Sequence, residues 1–207
     1  MTGAEAFGSR FDVSRETLGR LETYQVLLAR WNPRINLVAR STVDSVWDRH
    51  FTDSAQLFAL RPADARVWAD LGSGGGFPGL VIAILAAEAA RALRVTLVES
   101  DQRKCAFLST VLRETGVAAT VLARRIESVP PLGADVVSAR ALAPLETLIG
   151  YAQRHLAPGG RALFLKGESL SAELDIARRS WRFTQEIVPS LTDPSAAVVV
   201  MKDIAHV

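Results

Sequence analysis

A glycine-rich segment at residues 70–79, with the sequence DLGSGGGFPG, is the part of the chain most clearly suited to chemistry. It contains five glycines behind an acidic residue and follows a short apolar run. Glycine is conformationally costly, so this density predicts a backbone that turns tightly and that a ligand approaches closely. Gly74, Gly76 and Gly79 fit the G-x-G-x-x-G spacing of nucleotide-binding loops. Glu99 follows about 20 residues later, where a carboxylate can accept hydrogen bonds from ribose hydroxyls.

The elements that position this segment begin at Arg66, where short β-rich runs start to alternate with longer helical stretches. This alternation predicts an α/β fold, with a mostly parallel sheet and helices on both faces. The glycine-rich segment lies between the first strand and the first helix, at the sheet edge where such folds bind ligands. The last two strands are joined by few residues, so we expect them to pair antiparallel. The predicted strands cover residues 66–71, 94–100, 118–123, 134–139, 161–167, 182–188 and 196–203.

The N-terminal third has a different pattern, with apolar residues at helical spacing over residues 13–60. Pro33 predicts an interruption, and a second helical piece is expected over residues 43–60. The sequence thus predicts two units. Residues 1–62 form a helical extension packed on the core, and residues 63–207 form the ligand-binding core.

Composition excludes several classes of protein. The 207 residues are 49% hydrophobic and 22% charged, which is ordinary for a globular chain. No run of about 20 uncharged apolar residues and no signal-peptide pattern is present, so we expect a cytoplasmic protein without a membrane partner. The single cysteine, Cys105, falls on an apolar helix face and is expected to be buried, and no metal site is expected. Arginine supplies nearly all of the 24 basic residues, which fits either phosphate binding or codon bias.

Two ligand classes fit the glycine-rich segment: a dinucleotide and S-adenosylmethionine. The pattern Asp70-x-Gly72-x-Gly74-x-Gly76 resembles the first motif of Rossmann-like S-adenosylmethionine-dependent methyltransferases. In that class the acidic residue lies near the methionine end of the ligand, which carries an ammonium and a sulfonium. A carboxylate suits these cations and opposes a pyrophosphate, so Asp70 favours S-adenosylmethionine.

Several further segments narrow the resemblance to the RsmG (GidB) family, over about residues 35–167. The resemblance implies a class I methyltransferase with a seven-stranded, mostly parallel sheet and an N-terminal helical extension. It also implies methyl transfer from S-adenosylmethionine to N7 of one guanosine in 16S ribosomal RNA, and cofactor contacts by Gly72, Phe77, Ile126, Glu127 and Arg140. The segments that carry it are INLVARST, DRHFTDS, DLGSGGGFPG, VTLVESDQRKCAFL, RRIE, DVVSARAL and LAPGGRALFLKG.

This reaction needs alignment of the reactants rather than a general base, because guanine N7 carries a lone pair and no proton. Arg140 ends the fourth predicted strand, where it could hold guanine O6, a phosphate or the cofactor carboxylate. His50 and Asp53 lie three residues apart on one helix face, from which they could cover the site. We therefore expect Arg140, His50 and Asp53 to serve catalysis. The residues expected to contact RNA are Arg49, Arg103, Lys104, Arg124, Arg125 and Lys166.

Three alternatives remain open from the sequence: a methyltransferase acting on a small molecule or protein, a nucleotide-dependent oxidoreductase, and an idle RNA-binding module. The intact glycines, Asp70 and Glu99 oppose an idle module. Asp70 also opposes an oxidoreductase, and only the family-specific segments favour ribosomal RNA over other methyl acceptors. The expected partner is 16S ribosomal RNA or the small ribosomal subunit, bound by a monomer.

Overall fold

The computed structural model describes residues 2–207, and within them seven strands form one sheet in the order β3-β2-β1-β4-β5-β7-β6. The first five strands run parallel, and β7 pairs antiparallel with both β5 and β6. The predicted α/β fold and the antiparallel final pair are confirmed. The strands are β1 (Val67–Leu71), β2 (Arg94–Glu99), β3 (Thr120–Ala123), β4 (Ala134–Arg140), β5 (Leu156–Lys166), β6 (Trp181–Pro189) and β7 (Ala197–His206).

Helices cover both faces of the sheet, and in the described part of the chain three shorter helical segments lie between the main elements. A π-helical stretch, Trp47–Thr52, leads directly into the third α-helix, and short 3-10 turns lie at Arg40–Thr42 and Ile126–Ser128. The α-helices are α1 (Gly3–Phe11), α2 (Arg15–Ile35), α3 (Asp53–Ala59), α4 (Gly79–Ala89), α5 (Gln102–Thr115), α6 (Leu145–His155) and α7 (Leu170–Ala177).

The central strands are buried on both faces because helices cover the sheet on each side. One face packs against α2, α4 and α5, and the other against α6 and α7. From β1 the chain adds β2 and β3 toward one edge of the sheet, and then β4 and β5 toward the other edge. The strand order therefore reverses between β1 and β4. In open α/β sheets this reversal leaves a crevice at the carboxyl ends of the strands, where ligands bind.

The N-terminal helices share their core with the sheet. Leu21, Tyr24 and Leu28 of α2 are buried in the same apolar cluster as Trp68 of β1 and residues 80–86 of α4. Helix α4 is apolar around its full circumference because it lies between the sheet and these N-terminal helices. Met1, the first residue of the predicted extension, lies outside the described residues.

Pro33 does not interrupt the first long helix, contrary to the sequence prediction, and α2 continues to Ile35. A proline this close to the carboxyl end removes one hydrogen bond from a helix that is about to stop. The side chain of Asn32 then fixes the exit of the chain, because its Oδ1 accepts hydrogen bonds from Leu37 N at 2.7 Å and Val38 N at 2.9 Å. The helix therefore ends in a defined turn that leads toward the sheet edge.

Candidate functional site

A cavity of about 360 Å³ opens at the carboxyl ends of β1, β2 and β4, at the reversal of strand order. Its size falls in the usual range for small-molecule sites. The turn after β1 forms one wall, the end of β2 forms the floor, and the turns after β3 and β4 close the two opposite ends. The residues that line it are Leu37, Gly72–Gly75, Phe77, Val98–Ser100, Lys104, Arg124–Glu127, Arg140–Leu142 and Tyr151.

The glycine-rich turn needs glycine for two reasons: its backbone conformation, and the close approach of neighbouring side chains. Gly72, Gly74 and Gly76 have φ values of +65°, +56° and +95°, which side chains disfavour. A Cβ on Gly72 would also lie 2.5 Å from Leu142 Cδ1. The turn therefore presents bare backbone to the cavity. Gly76 itself lies outside the cavity wall, because Leu80 and the Tyr24 hydroxyl occupy the space beside it.

Asp70 lies behind this turn and does not line the cavity. Its Oδ1 accepts a hydrogen bond from Ser138 Oγ at 2.7 Å, and Ser138 in turn accepts one from Trp68 Nε1 at 2.8 Å. Burial raises the pKa of Asp70 to about 6, and the hydrogen bond from Ser138 opposes that shift. A Cβ on Gly79 would lie 2.6 Å from Asp70 Oδ2, so glycine lets the start of α4 approach this carboxylate. Asp70 thus braces the turn from inside the fold.

Glu99 joins the end of β2 to the glycine-rich turn. One carboxylate oxygen accepts a hydrogen bond from Gly74 N and the other from Asp101 N, each at 2.8 Å. These contacts fix the side chain at the cavity floor, where it is nearly buried but still forms part of the wall. A carboxylate held in this way can accept further hydrogen bonds from the hydroxyls of a ligand.

The far wall of the cavity is formed by the turn after β3. Ile126 is buried and presents an apolar surface, and the adjacent Glu127 accepts a hydrogen bond from the Tyr151 hydroxyl. That bond lowers the pKa of Glu127 below its usual range, so its carboxylate is ionised at neutral pH. This wall therefore offers a ligand the apolar surface of Ile126 and the fixed hydrogen-bond acceptor of Glu127.

Arg140 reaches the opposite end of the cavity from the end of β4, and residues from three other segments surround its guanidinium. The guanidinium lies 4.9 Å from the Phe77 ring centre, and its Nη1 lies 3.7 Å from Asp53 Oδ2. The same nitrogen donates a hydrogen bond to the backbone oxygen of Arg49 at 3.3 Å. Ala141, the next residue, has a φ of +50°, which turns the chain at the cavity rim. Arg140 is thereby held with its charge largely buried.

His50 and Asp53 support this end of the site from behind and do not line the cavity. The His50 ring stacks on Phe77 with a centre-to-centre distance of 4.8 Å, and its Nε2 lies 2.8 Å from Thr42 Oγ1. Burial, together with the charges of Arg140 and Arg49, lowers the pKa of His50 to about 3, so its ring is neutral. Burial raises the pKa of Asp53, against the opposing charge of Arg140. Both residues act on the cavity through Phe77 and Arg140.

The basic residues expected to contact RNA fall into two groups. Lys104, Arg124 and Arg125 line the cavity. The other three are in ion pairs: Arg49 with Asp193 at 2.9 Å, Arg103 with Asp101 at 3.0 Å, and Lys166 with Glu173 at 2.6 Å. Lys166 also donates to the backbone oxygen of Ala143, and its side chain is only 10% exposed. This ammonium is therefore not free to hold a phosphate.

Tyr24 is a site-supporting residue that the sequence reasoning missed. Its ring is fully buried and stacks on Phe77 at 5.2 Å, and its hydroxyl donates a hydrogen bond to the backbone oxygen of Gly75. The signal was present, since Tyr24 stands in the apolar stripe of α2 between Leu21 and Leu28 and carries a polar group into a core. Leu37 and Leu142, which close the cavity, gave no such signal.

Other expectations concern groups outside the cavity. Cys105 is buried, as predicted, and its thiol lies 3.3 Å from the backbone oxygen of Glu99. Among residues 2–207, no cluster of three or more His, Cys, Asp or Glu side chains could hold a metal ion. In the same part of the chain, no helix is long and apolar enough to cross a membrane.

Comparisons with solved structures give the fold class. The chain is similar to a TehB-like SAM-dependent methyltransferase from Corynebacterium glutamicum, with a TM-score of 0.58 and 16% identity over 86% of this chain and 97% of that one. It is also similar to a SAM-dependent methyltransferase from Aquifex aeolicus, with a TM-score of 0.56 and 12% identity over 79% and 93% of the two chains. The fold is that of the S-adenosylmethionine-dependent methyltransferases.

Comparisons of sequence are more specific. The family model described as rRNA small subunit methyltransferase G (GidB) matches residues 17–198. The chain is 56% identical over 202 residues to ribosomal RNA small subunit methyltransferase G of Rhodospirillum centenum, covering 98% of this chain and 91% of the relative. It is 50% identical over 196 residues to the protein of the same name from a Ruegeria species, covering 95% of each. The chain therefore belongs to the rRNA small subunit methyltransferase G (GidB) family.

Proposed function

We propose that this protein transfers the methyl group of S-adenosylmethionine to N7 of a specific guanosine in 16S ribosomal RNA. The observation that carries the proposal is the match of nearly the whole chain to a family of small-subunit RNA methyltransferases. The glycine-walled cavity at the reversal of strand order supports it, because that is where this fold class binds nucleotide-like ligands.

The cavity wall suits S-adenosylmethionine in size and chemistry. Bare backbone at Gly72 and Gly74 leaves room for the methionine portion, and the Glu99 carboxylate would accept hydrogen bonds from the ribose hydroxyls. Ile126 would pack against the adenine ring, with Glu127 beside it as an acceptor. Asp70 and Gly76 contribute indirectly in this proposal, because they shape the turn from behind.

The chain's own residues have to align the two reactants and exclude water. S-adenosylmethionine supplies an electrophilic methyl group, and guanine N7 carries a lone pair and no proton, so no general base is needed. Arg140 would hold guanine O6 while N7 stays free to react. Asp53 and Phe77 fix that guanidinium in place, and the neutral His50 ring supports Phe77 from behind. We therefore assign positioning roles to His50 and Asp53.

RNA would approach over the basic rim of the cavity. Lys104, Arg124 and Arg125 stand at the wall and can hold phosphates beside the target nucleotide. Arg49 and Arg103 lie on exposed ion pairs, which phosphate contacts can replace. Lys166 is left out of this surface because Glu173 neutralises it.

The organisation of the chain fits this proposal. We infer that residues 1–62 serve as a helical extension whose residues brace the site, and that residues 63–207 form the catalytic core. We further propose that the protein acts as a cytoplasmic monomer on 16S ribosomal RNA or on the small ribosomal subunit.

Calorimetry and a labelling experiment test this function. The purified protein should bind S-adenosylhomocysteine and not NAD, and binding of NAD alone would overturn the cofactor assignment. With methyl-labelled S-adenosylmethionine and small subunits as acceptor, the label should appear in the RNA fraction. Label in the protein fraction alone would instead favour a protein methyltransferase of the same fold.

A further inference from the structure

Three arginines beside the cavity are not explained by the site described above. Arg30, Arg34 and Arg40 are all exposed, and residues 30–43 contain no acidic side chain. Within residues 2–207, none of the three forms an ion pair. The segment therefore carries three exposed positive charges before the first acidic residue, Asp44.

The backbone of this segment has a fixed position at the cavity mouth. Leu37 lines the cavity, and its carbonyl oxygen lies 3.0 Å from where a Cβ on Gly75 would stand. Arg34 and Arg40 are each three residues from Leu37, so their Cα atoms lie within about 11 Å of its Cα. Arg30 precedes Arg34 by one helical turn on the same face of α2. The three arginines thus border the mouth on the side of the N-terminal extension.

Lys104, Arg124 and Arg125 add further basic residues to the cavity wall, and α2 packs beside α5, the helix that carries Lys104, with the Trp31 ring centre 5.7 Å from that of Phe107. A polynucleotide that inserts one base into the cavity continues past its rim in both directions, with one phosphate for each nucleotide. Guanidinium groups bind phosphate oxygens through paired hydrogen bonds and need no partner within the protein. A strand of RNA is therefore the ligand whose repeated negative charge fits an extended basic surface of this kind.

We propose that Arg30, Arg34 and Arg40 form an arginine ridge that binds the RNA phosphates on one side of the target guanosine. This inference rests on the proposed function and extends it, because it assigns the N-terminal extension a direct part in substrate binding. The ridge contributes affinity for the backbone and no base specificity, since phosphates carry no sequence information.

The test compares two variants that lose the same charge from opposite edges of the sheet. The ridge variant carries Arg30→Gln, Arg34→Gln and Arg40→Gln. The control variant carries Arg66→Gln, Arg91→Gln and Arg94→Gln, which are exposed arginines without ion pairs at the amino-terminal edge of β1 and β2. Binding of protein-free 16S ribosomal RNA is titrated over a range of KCl concentrations, and binding of S-adenosylhomocysteine is measured in parallel.

The ridge variant should bind the RNA at least about tenfold more weakly near 0.1 M salt, with a salt slope shallower by about 2 for three lost phosphate contacts. Its affinity for S-adenosylhomocysteine should match that of the unmodified protein, which also shows that it is folded. The control variant should retain both affinities.

Three results would overturn the ridge. Equal losses of RNA affinity in the two variants would mean that the ridge acts only through net charge. Unchanged affinity in the ridge variant, with methyl transfer to RNA intact, would reject the ridge and leave the proposed function standing. Normal binding of free RNA combined with lost activity on assembled subunits would show that the ridge contacts an acidic protein. If the unmodified protein neither binds nor methylates RNA, the proposed function itself fails.

Discussion

The hydroxyl of Tyr24 can be removed without changing the shape of the core, and Tyr24→Phe is therefore the sharpest probe of how the glycine-rich turn is held. The substitution keeps the ring stacked on Phe77 and deletes the hydrogen bond to the Gly75 oxygen. That oxygen belongs to a buried residue, and within residues 2–207 it accepts no other hydrogen bond. A buried acceptor without a partner costs about 1–3 kcal/mol, so the free energy of unfolding should fall by that amount.

The measurement is urea unfolding, followed by calorimetric titration with S-adenosylhomocysteine. The midpoint should fall with an unchanged slope, because the surface exposed on unfolding is the same. Affinity for S-adenosylhomocysteine should fall several-fold, since the released turn adopts more conformations before binding. RNA affinity should stay as it was.

The other tyrosine of the chain supplies a matched control. Tyr151→Phe removes a hydroxyl that bonds the exposed Glu127, so its effect on unfolding should stay within about 0.5 kcal/mol. If Tyr24→Phe changed neither stability nor ligand affinity, or lowered the free energy of unfolding no more than Tyr151→Phe does, the turn would not depend on α2.

Three further outcomes follow from the geometry of the site. Glu99→Gln should weaken S-adenosylhomocysteine binding about tenfold in calorimetry, because a charged acceptor is lost, and unchanged affinity would remove Glu99 from the ribose contact. Asp53→Asn should lower kcat with little change in ligand affinity, because Arg140 loses its carboxylate partner. Steady-state kinetics on small subunits measure this, and an unaltered kcat would show that Asp53 is dispensable. The pKa of His50 falls from 6.5 to about 3 on folding, so the unfolded chain binds a proton that the folded chain rejects, and stability declines as pH drops through that window. His50→Asn should make urea-unfolding stability less dependent on pH there, whereas an equally steep decline would contradict the assignment.

The fold was predictable because the β-rich runs in the sequence coincide with the strands that the sheet contains. Each of the seven predicted strands is present in the structure. The error at Pro33 arose because a proline in a last helical turn costs little, and sequence pattern does not reveal how near the end lies. The continuous helix expected at residues 43–60 is divided, because a π-helical turn precedes α3.

Site residues were predictable where their position at the end of a strand brings them to the cavity. They were less predictable where a partner on a distant element determines the direction of the side chain. Phe77, Ile126 and Arg140 line the cavity because each follows closely on the carboxyl end of a strand. Spacing could not show that Asp70 turns inward to Ser138, since both directions are open to a residue in a strand. Ion pairing between distant elements, as between β5 and α7 at Lys166, leaves no trace in local sequence.

Methyl transfer to guanine N7 is tested most directly by finding the atom that receives the methyl group. Small subunits and protein-free 16S ribosomal RNA are incubated with the protein and deuterated S-adenosylmethionine, then digested to nucleosides and separated by liquid chromatography with mass spectrometry. We expect deuterated 7-methylguanosine, derived from a single position of the RNA, and none when Arg140→Ala replaces the unmodified protein. Label on another atom of guanosine, on another nucleoside, or spread over many positions would contradict this expectation.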